Sequence, residues 1–518
     1  MNICSGGSCV VNPLCTPATC ASLNYNCGNW TDGCSGTLSC GVFGNGSCQT
    51  GQTCVGGSCV LNTSVLCGPL RTYYIDYANG NDANNGTCSN SAWKRAPGMT
   101  GFSGSYAHSV GDKFIFKGGV IWPNAVFPMN IVYNGNITKQ DYYGVDKRWY
   151  TGSSWSRPIF DMQGQLIGTN NVIIFMDNYG ASYVTFDNIE FTNYYWDSST
   201  CPWTQNTFFW NGYGNVGINV FNCYFHGWTH APSAGDCAVM MGGNGRYQNV
   251  AYNLMDGTAS GGNSGNSGAG YNYYNNTVHD MANGPVGGAV SVHDNLIYNI
   301  RNSFAGSAYH TNGIEVWLPP GETTQYIYNN VLHDLSSGTY PLPIGPGFAQ
   351  TGNVTAYIFN NVMWNIGWGM PFVVDCSCAV GIVCTPNQVS VYIWSNTVST
   401  LPSDSWTACI RLVNRGNGNV GLLDLRDNHC ITNSGKLYAF DTGVNASTLI
   451  DITNLLIPTS TATNIGYTIS NMFAPISPNS ITVNGGTDLS SVFNKDRNGV
   501  SRPQGSTWDI GAYEYPLD

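Results

Sequence analysis

Between Tyr273 and Thr400 the chain returns to one short alternation of apolar and polar positions: YYNNTVHD, SVHDNLIYNI, YIYNNVLHDL, YIFNNVMWNI and YIWSNTVST. Side chains that alternate with a period of two predict short strands, not helices. Taking the Asn of each phrase as a register mark gives Asn276, Asn295, Asn330, Asn361 and Asn396. The phrase also fits at Asn188 (FDNIEFTN), Asn222 (VFNCYFHG), Asn253 (AYNLMDG) and Asn428 (LRDNHCIT).

The spacing between successive marks runs from 19 to 35 residues, too irregular for a helical repeat of fixed length and suited to a coil of strands with loops of variable size. One such unit cannot bury its apolar face alone, so the pattern predicts stacked coils with continuous inner columns. An Asn at the same corner of every coil can bond its amide to the Asn above and below, and can tolerate the left-handed backbone such corners need. The competing reading is that Asn is merely abundant and marks generic strand edges.

Composition narrows the class. Only 9% of the 518 residues are charged, against about 25% in an ordinary domain, and the net charge is -11. That balance argues against a nucleic-acid binder and against attraction to acidic membranes, and favours neutral partners. No run is apolar and long enough to span a membrane. Twenty cysteines, ten of them before residue 60, point to an oxidising, extracellular compartment. Glycosylation sequons at Asn29, Asn45, Asn62, Asn85, Asn136, Asn275, Asn353 and Asn445 agree with export. No leader stands at Met1, so export implies a processed chain.

Residues 1–67 read as a disulfide-stapled arm. CSGGSCVVN at Cys4 returns as CVGGSCVLN at Cys54, so the arm holds the tail of one cysteine-rich module and one complete module, with too few apolar residues to fold without staples. Zinc is the rival reading, weakened by the absence of a regular CxxC rhythm and of any His before His108. Tyr25 and Trp30 suit either a sugar-stacking role or the module's own core. The cysteines at 201, 223 and 237, and at 376, 378 and 384, sit beside loops and are expected to pin them, with one left over in each trio. The Gly-Ser-Asn run from Ala259 to Gly270 reads as a loop.

After the arm the text changes to TYYIDYANGNDANNGTCSNSAWK and GDKFIFKGGVIW, and the chain closes on DRNGVSRPQGSTWDIGAYEY. These segments resemble the opening cap and closing segment of secreted right-handed parallel β-helix proteins of the pectate-lyase-like superfamily. The resemblance implies an all-β solenoid divided into a cap with first coils (68–170), a β-helix with loop insertions (171–470) and a closing segment (471–518). Regular coils are expected from Asn171. Asp76 and Asp82, with neighbouring Asn side chains, are weak calcium candidates; an Asx-turn capping the first coil accounts for the same residues without metal.

The resemblance also implies a groove along one parallel sheet, in which relatives act on polysaccharides. Acids and bases in the strands ahead of each Asn phrase are therefore the candidate catalytic set: Asp236, His310, Glu315, Asp375 and Arg411. Asp236, Glu315 and Asp375 are the carboxylates a glycoside hydrolase would draw on; His310 with Arg246 or Arg411, aided by calcium, is the cast for a lyase. No paired-Asp glycosidase string and no Arg-centred lyase motif appears. Of the pairs His279-Asp280, His293-Asp294 and His333-Asp334, two follow the Asn phrase at matching offsets (NNTVHD and NNVLHD) and read as stacked imidazoles with Asp partners at a coil corner, a structural repetition able to confer pH sensitivity.

Two functions compete. The first is an extracellular structural or adhesive subunit that self-associates through its arm or solenoid ends, in a head-to-tail fibre or surface layer, bearing or touching glycans. The second is a secreted polysaccharide lyase or glycoside hydrolase with the arm as its carbohydrate-binding module. No cofactor other than possible calcium is implied.

Overall fold

The computed structural model describes residues 2–5, 8–11, 17–34, 36–41, 46, 48, 52–61, 65–168, 171–176, 181–197, 207–211, 214–231, 240–242, 247–258, 267–268, 270–301, 312–319, 321–335, 344–347, 353–366, 372–375, 389–400, 408–413, 420–440 and 445–516. Asp236, Arg246, His310, Asn45 and Asn62, the Gly-Ser-Asn run before Ser267, and the cysteines at 201, 237, 376, 378 and 384 lie outside these residues.

From Thr72 onward the strands wind through three faces, all pairing parallel. Sheet one has thirteen strands, from Thr72–Ile75 to Ala446–Ile452, and sheet two has twelve, from Ile121–Pro123 to Leu455–Ile457. The third face comes in two pieces, four strands from Met129–Ile131 to Met240–Gly242 and six from Val286–Gly288 to Tyr438–Phe440. Most coils pass from the third face to sheet one and then sheet two, which makes the chain a parallel β-helix. Within residues 68–170, Lys113–Phe116 and Asp141–Gly144 lie in sheet one between Thr72–Ile75 and Val184–Asp187. The long insertions between these early strands hide their periodicity.

Parallel register converts the alternation of each strand into columns. Val292, Ile327, Ile358, Ile393 and Leu425 are successive partners in sheet one, and all are fully buried. Each such residue contributes about 1.5–3 kcal/mol of burial, available only when the coil above is in place.

The corner between sheets one and two carries the asparagine ladder. Nδ2 of Asn253, Asn276, Asn295, Asn330, Asn361, Asn396 and Asn428 each donates to Oδ1 of the next Asn along the axis, at 2.8–3.2 Å, and the run ends on Asn454. Two marks fall one residue out of register. Asn188 and Asn222 have φ of 59° and 54° and occupy the left-handed corner position, as do Asn275, Asn329 and Asn360 in later coils. The left-handed residue is thus the one before each ladder Asn, and the ladder side chain itself is buried. Cys223 takes the ladder position in its coil, its N–H donating to Asn253 Oδ1 at 2.9 Å. It is a free, buried thiol, the member of its trio left without a disulfide.

At the N-terminal end, disulfides Cys20–Cys40, Cys27–Cys54 and Cys48–Cys59 staple the module. Cys67–Cys88 ties the end of the arm to the first coil. At the other end, the closing segment does not sit across the last coil. It runs back along the corner between sheets one and two, with Phe493 stacked on Phe359 at 4.3 Å, Ala512 N–H donating to Thr397 Oγ1 and Thr487 N–H to Asp427 Oδ2. The edge strand Ala446–Ile452 keeps Thr448, Asp451 and Ile452 exposed.

Candidate functional site

The third face holds three of the candidate catalytic residues. Glu315 lies in Ile314–Trp317, where Ile314 and Val316 are buried and Glu315 and Trp317 are half-buried on the outward side. Register runs Glu315↔Gly345 and Val373↔Arg411, with Ile344↔Phe372 linking the two middle strands, so Glu315 and Arg411 share one column three strand spacings apart. That is about 14 Å at 4.8 Å per spacing. Asp375 stands two strands from Glu315 and two residues further along, about 12 Å from it at the backbone. Hydrolase carboxyl groups stand about 5–9.5 Å apart, so this pair serves only if both side chains lean together. Glu315 Oε2 accepts a hydrogen bond from Asn312 Nδ2.

Among the described residues, a connected set of ionisable groups lies on the outward side of sheet two. Tyr224 and His226, two apart on one strand, stack at 4.1 Å. His226 Nε2 is 3.0 Å from Glu190 Oε1 in the preceding coil, and Tyr224 Oη donates to Asp256 Oδ2 at 3.2 Å in the next. Asp256 in turn is the register partner of His279, whose Nδ1 is 3.7 Å from Asp256 Oδ1 and 2.7 Å from Asp280 Oδ2. Burial would pull the Asp256 carboxyl up, but the Thr258 hydroxyl and amide, His279 and Tyr224 outweigh it and hold it below its ordinary value. Burial, then the charges of Asp256 and Glu190, push the Tyr224 phenol up to about 12. A phenol this far above neutral pH stays protonated and serves as a fixed donor to Asp256, not as an acid-base group.

This cluster escaped a search aimed at the strands before each Asn phrase. Its signal lies after the phrase: aligning the copies places His226, Asp256, His279, Tyr298, His333 and Trp364 in one outward column. His279, Tyr298, His333 and Trp364 stack at 4.5–5.0 Å with planes within 9°. His279 and His333 are therefore separated by Tyr298, while His293 lies on sheet one, stacked between Tyr274 and Tyr328 at 5.0 and 4.6 Å. The two pairs expected to stack, at His279 and His333, do share one column, with Tyr298 between their rings, while His293 stands apart because it precedes its ladder Asn and the other two follow theirs.

The calcium candidates have protein partners. Asp76 accepts the amides of Ala78 and Asn79 and pairs with Lys117 at 2.8 Å. Asp82 accepts the amides of Lys94 and Arg95 and pairs with the Arg95 guanidinium at 3.1 Å. A cation at either would have to displace Lys117 or Arg95. Of the sequons, Asn29, Asn85, Asn275, Asn353 and Asn445 are exposed and Asn136 is half-buried. In the arm, Tyr25 and Trp30 stack on each other at 4.3 Å.

No protein-family description matches this chain and no curated protein does. Among solved structures, pectate lyase Pel9A is similar at 15% identity and TM-score 0.44, with 86% of this chain and 97% of that one covered. The GH136 lacto-N-biosidase from Eubacterium ramulus is similar at 14% identity and TM-score 0.41, with 74% and 68% covered. A rhamnogalacturonan lyase follows at 11% and 0.35, with 67% and 87% covered. Likenesses this distant carry no argument about chemistry; the β-helix rests on the chain's own strand register. Among the described residues, no helix is long and apolar enough to cross a membrane.

Proposed function

We propose that this chain is an extracellular structural or adhesive β-helix protein, glycan-bearing or glycan-contacting, that assembles head to tail. The observation that supports this most is the state of its outward surfaces. Tyr274, His293, Tyr328, Phe359 and Phe493 form one axial stack on sheet one, and His279, Tyr298, His333 and Trp364 form another on sheet two. Rings stacked on one another present their edges outward and leave no face for a sugar, so they serve cohesion. The edge strand Ala446–Ile452 ends sheet one with Thr448, Asp451 and Ile452 exposed, the kind of edge a neighbouring subunit extends. The disulfides of the arm suit life outside the cell. Negative-stain imaging of the native protein should show regular filaments; dispersed single particles at every concentration would sink the proposal.

The second reading, a polysaccharide lyase or hydrolase, draws on the shared column of Glu315 and Arg411 with Asp375 nearby. Sugar release from a polysaccharide panel by the wild type, lost in Glu315→Ala or Asp375→Ala, would put this reading first.

A further inference from the structure

We infer that Asp256, His279 and Asp280 form a binding site for a divalent transition cation, Zn2+ by the chemistry of its donors, that joins two successive coils. Asp256 belongs to Leu254–Asp256 and His279 to the strand stacked on it, Thr277–His279, while Asp280 turns the corner directly after it at φ 56°. One ligand atom from each residue lies within 4.8 Å of the other two.

The carboxylates are aimed. Each uses its outer oxygen for a partner outside the cluster: Asp256 Oδ2 accepts from Tyr224 Oη at 3.2 Å, and Asp280 Oδ1 accepts from Asn299 Nδ2. Asp256 Oδ1 and Asp280 Oδ2 lie 3.7 and 2.7 Å from His279 Nδ1; the first also accepts the Thr258 amide at 2.9 Å and the second the Thr258 hydroxyl at 3.4 Å, and each keeps a second lone pair for a metal. Second-shell bonds of this kind orient metal-ligating carboxylates. Donors about 2.1 Å from a tetrahedral zinc are spaced about 3.4 Å apart, so the His279–Asp280 separation must open by about 0.7 Å, the His279–Asp256 separation close by about 0.3 Å, and the two carboxylate oxygens, within 4.8 Å of each other, close by at most about 1.4 Å. Gly257 permits the approach, since a Cβ there would run into the Asp280 carbonyl.

The site is singular among the three His-Asp pairs. His293 and His333 each have the following Asp at 2.7 Å, but their register partners in the preceding coil are Tyr274 and Tyr298, where His279 has Asp256. One imidazole with two carboxylates suits Zn2+ better than Ca2+ or Mg2+, which take oxygen ligands in larger number. The side chains of Asp256, His279 and Asp280 are 22%, 12% and 21% exposed, so the ion has an entry path and a fourth position for water. On binding, the metal takes the Nδ1 lone pair, so His279 carries its proton on Nε2 and ligation replaces the Nδ1···Asp280 hydrogen bond.

The test is calorimetric titration of ZnCl2 into the EDTA-treated, dialysed full-length protein, with Co2+ as a visible-absorption probe and thermal melting with and without Zn2+. Wild type should bind about one ion per chain, give tetrahedral Co2+ bands without sulfur charge-transfer absorption, and melt higher with Zn2+. His279→Gln and Asp256→Asn should weaken binding about 100-fold and abolish the zinc-dependent rise in Tm, while His293→Gln should match wild type. Melting of the metal-free variants at the wild-type temperature separates ligand loss from misfolding. Absence of Zn2+ binding by wild type, unchanged affinity in both ligand variants, or thiolate bands in the Co2+ spectrum would overturn the assignment.

Discussion

Asn330 and Asn361, 31 residues apart, are joined twice: both the side-chain Nδ2 and the backbone N–H of Asn330 donate to Asn361 Oδ1 at 3.0 Å. Asn330 in turn receives the same pair of bonds from Asn295, and its Nδ2 also donates to the carbonyl of Val292. Each amide from Asn253 to Asn428 is thus a buried bridge between coils.

Asn330→Ala should therefore destabilise the fold by about 2–4 kcal/mol, since it strands the Asn295 donors and the Val292 carbonyl in a dry interior. Chemical denaturation measures this. A loss below about 0.5 kcal/mol would mean that the ladder is ornamental to stability.

His429 gives the fold an acid sensitivity. It is fully buried, with its Nε2 unpartnered, and burial alone lowers its pKa from 6.5 to about 3. The unfolded chain takes up this proton first, so stability falls as pH drops from about 6.5 toward 3, by about 1.4 kcal/mol per unit. Asp427, whose carboxyl burial raises, acts in the opposite sense. His429→Leu should flatten the decline measured in denaturant midpoints between pH 6 and 4.5, and equal slopes in the two proteins would refute this account.

Arg502 and Glu514 form an ion pair with both side chains fully buried, 3.3 Å apart. The guanidinium also donates to the carbonyls of Asp509 and Gly511. Arg502→Met alone should cost about 3–5 kcal/mol, because Glu514 remains without its counter-charge. The double variant with Glu514→Gln should recover part of that loss. The readout is urea unfolding; additive effects would show that the pair is not coupled.

Burial pushes the Cys223 thiol up to about 12. In the native protein at pH 8 the peptide carrying Cys223 should stay unalkylated, and should label fully in denaturant. Rapid native labelling at this position would contradict its place in the core.

The phrase around each Asn was enough to read strands, stacking and an all-β solenoid, because strand period and corner chemistry are local properties that survive loops of any length. The same phrase misplaced Asn188 and Asn222 by one residue, since a left-handed corner and a ladder rung both favour Asn and only the coil above distinguishes them. Asn454, within ITNLLI, is the end of the ladder and was not among the marks. The expected closing segment does pack against the solenoid, but along its side, a choice made by Phe359, Thr397 and Asp427, which present a ring, a hydroxyl and a carboxylate on one corner.

Sequence by itself determined the repeat, the inward columns and the disulfide-stapled arm, all of which follow from spacing and residue type within a short window. Which side chains meet across coils was decided only by tertiary structure. Asp256 and His279 lie 23 residues apart in sequence, and register alone places one directly beside the other. A parallel sheet makes neighbours of residues separated by whatever loop the chain inserts, so contact along the axis is a property of the stack and not of the string.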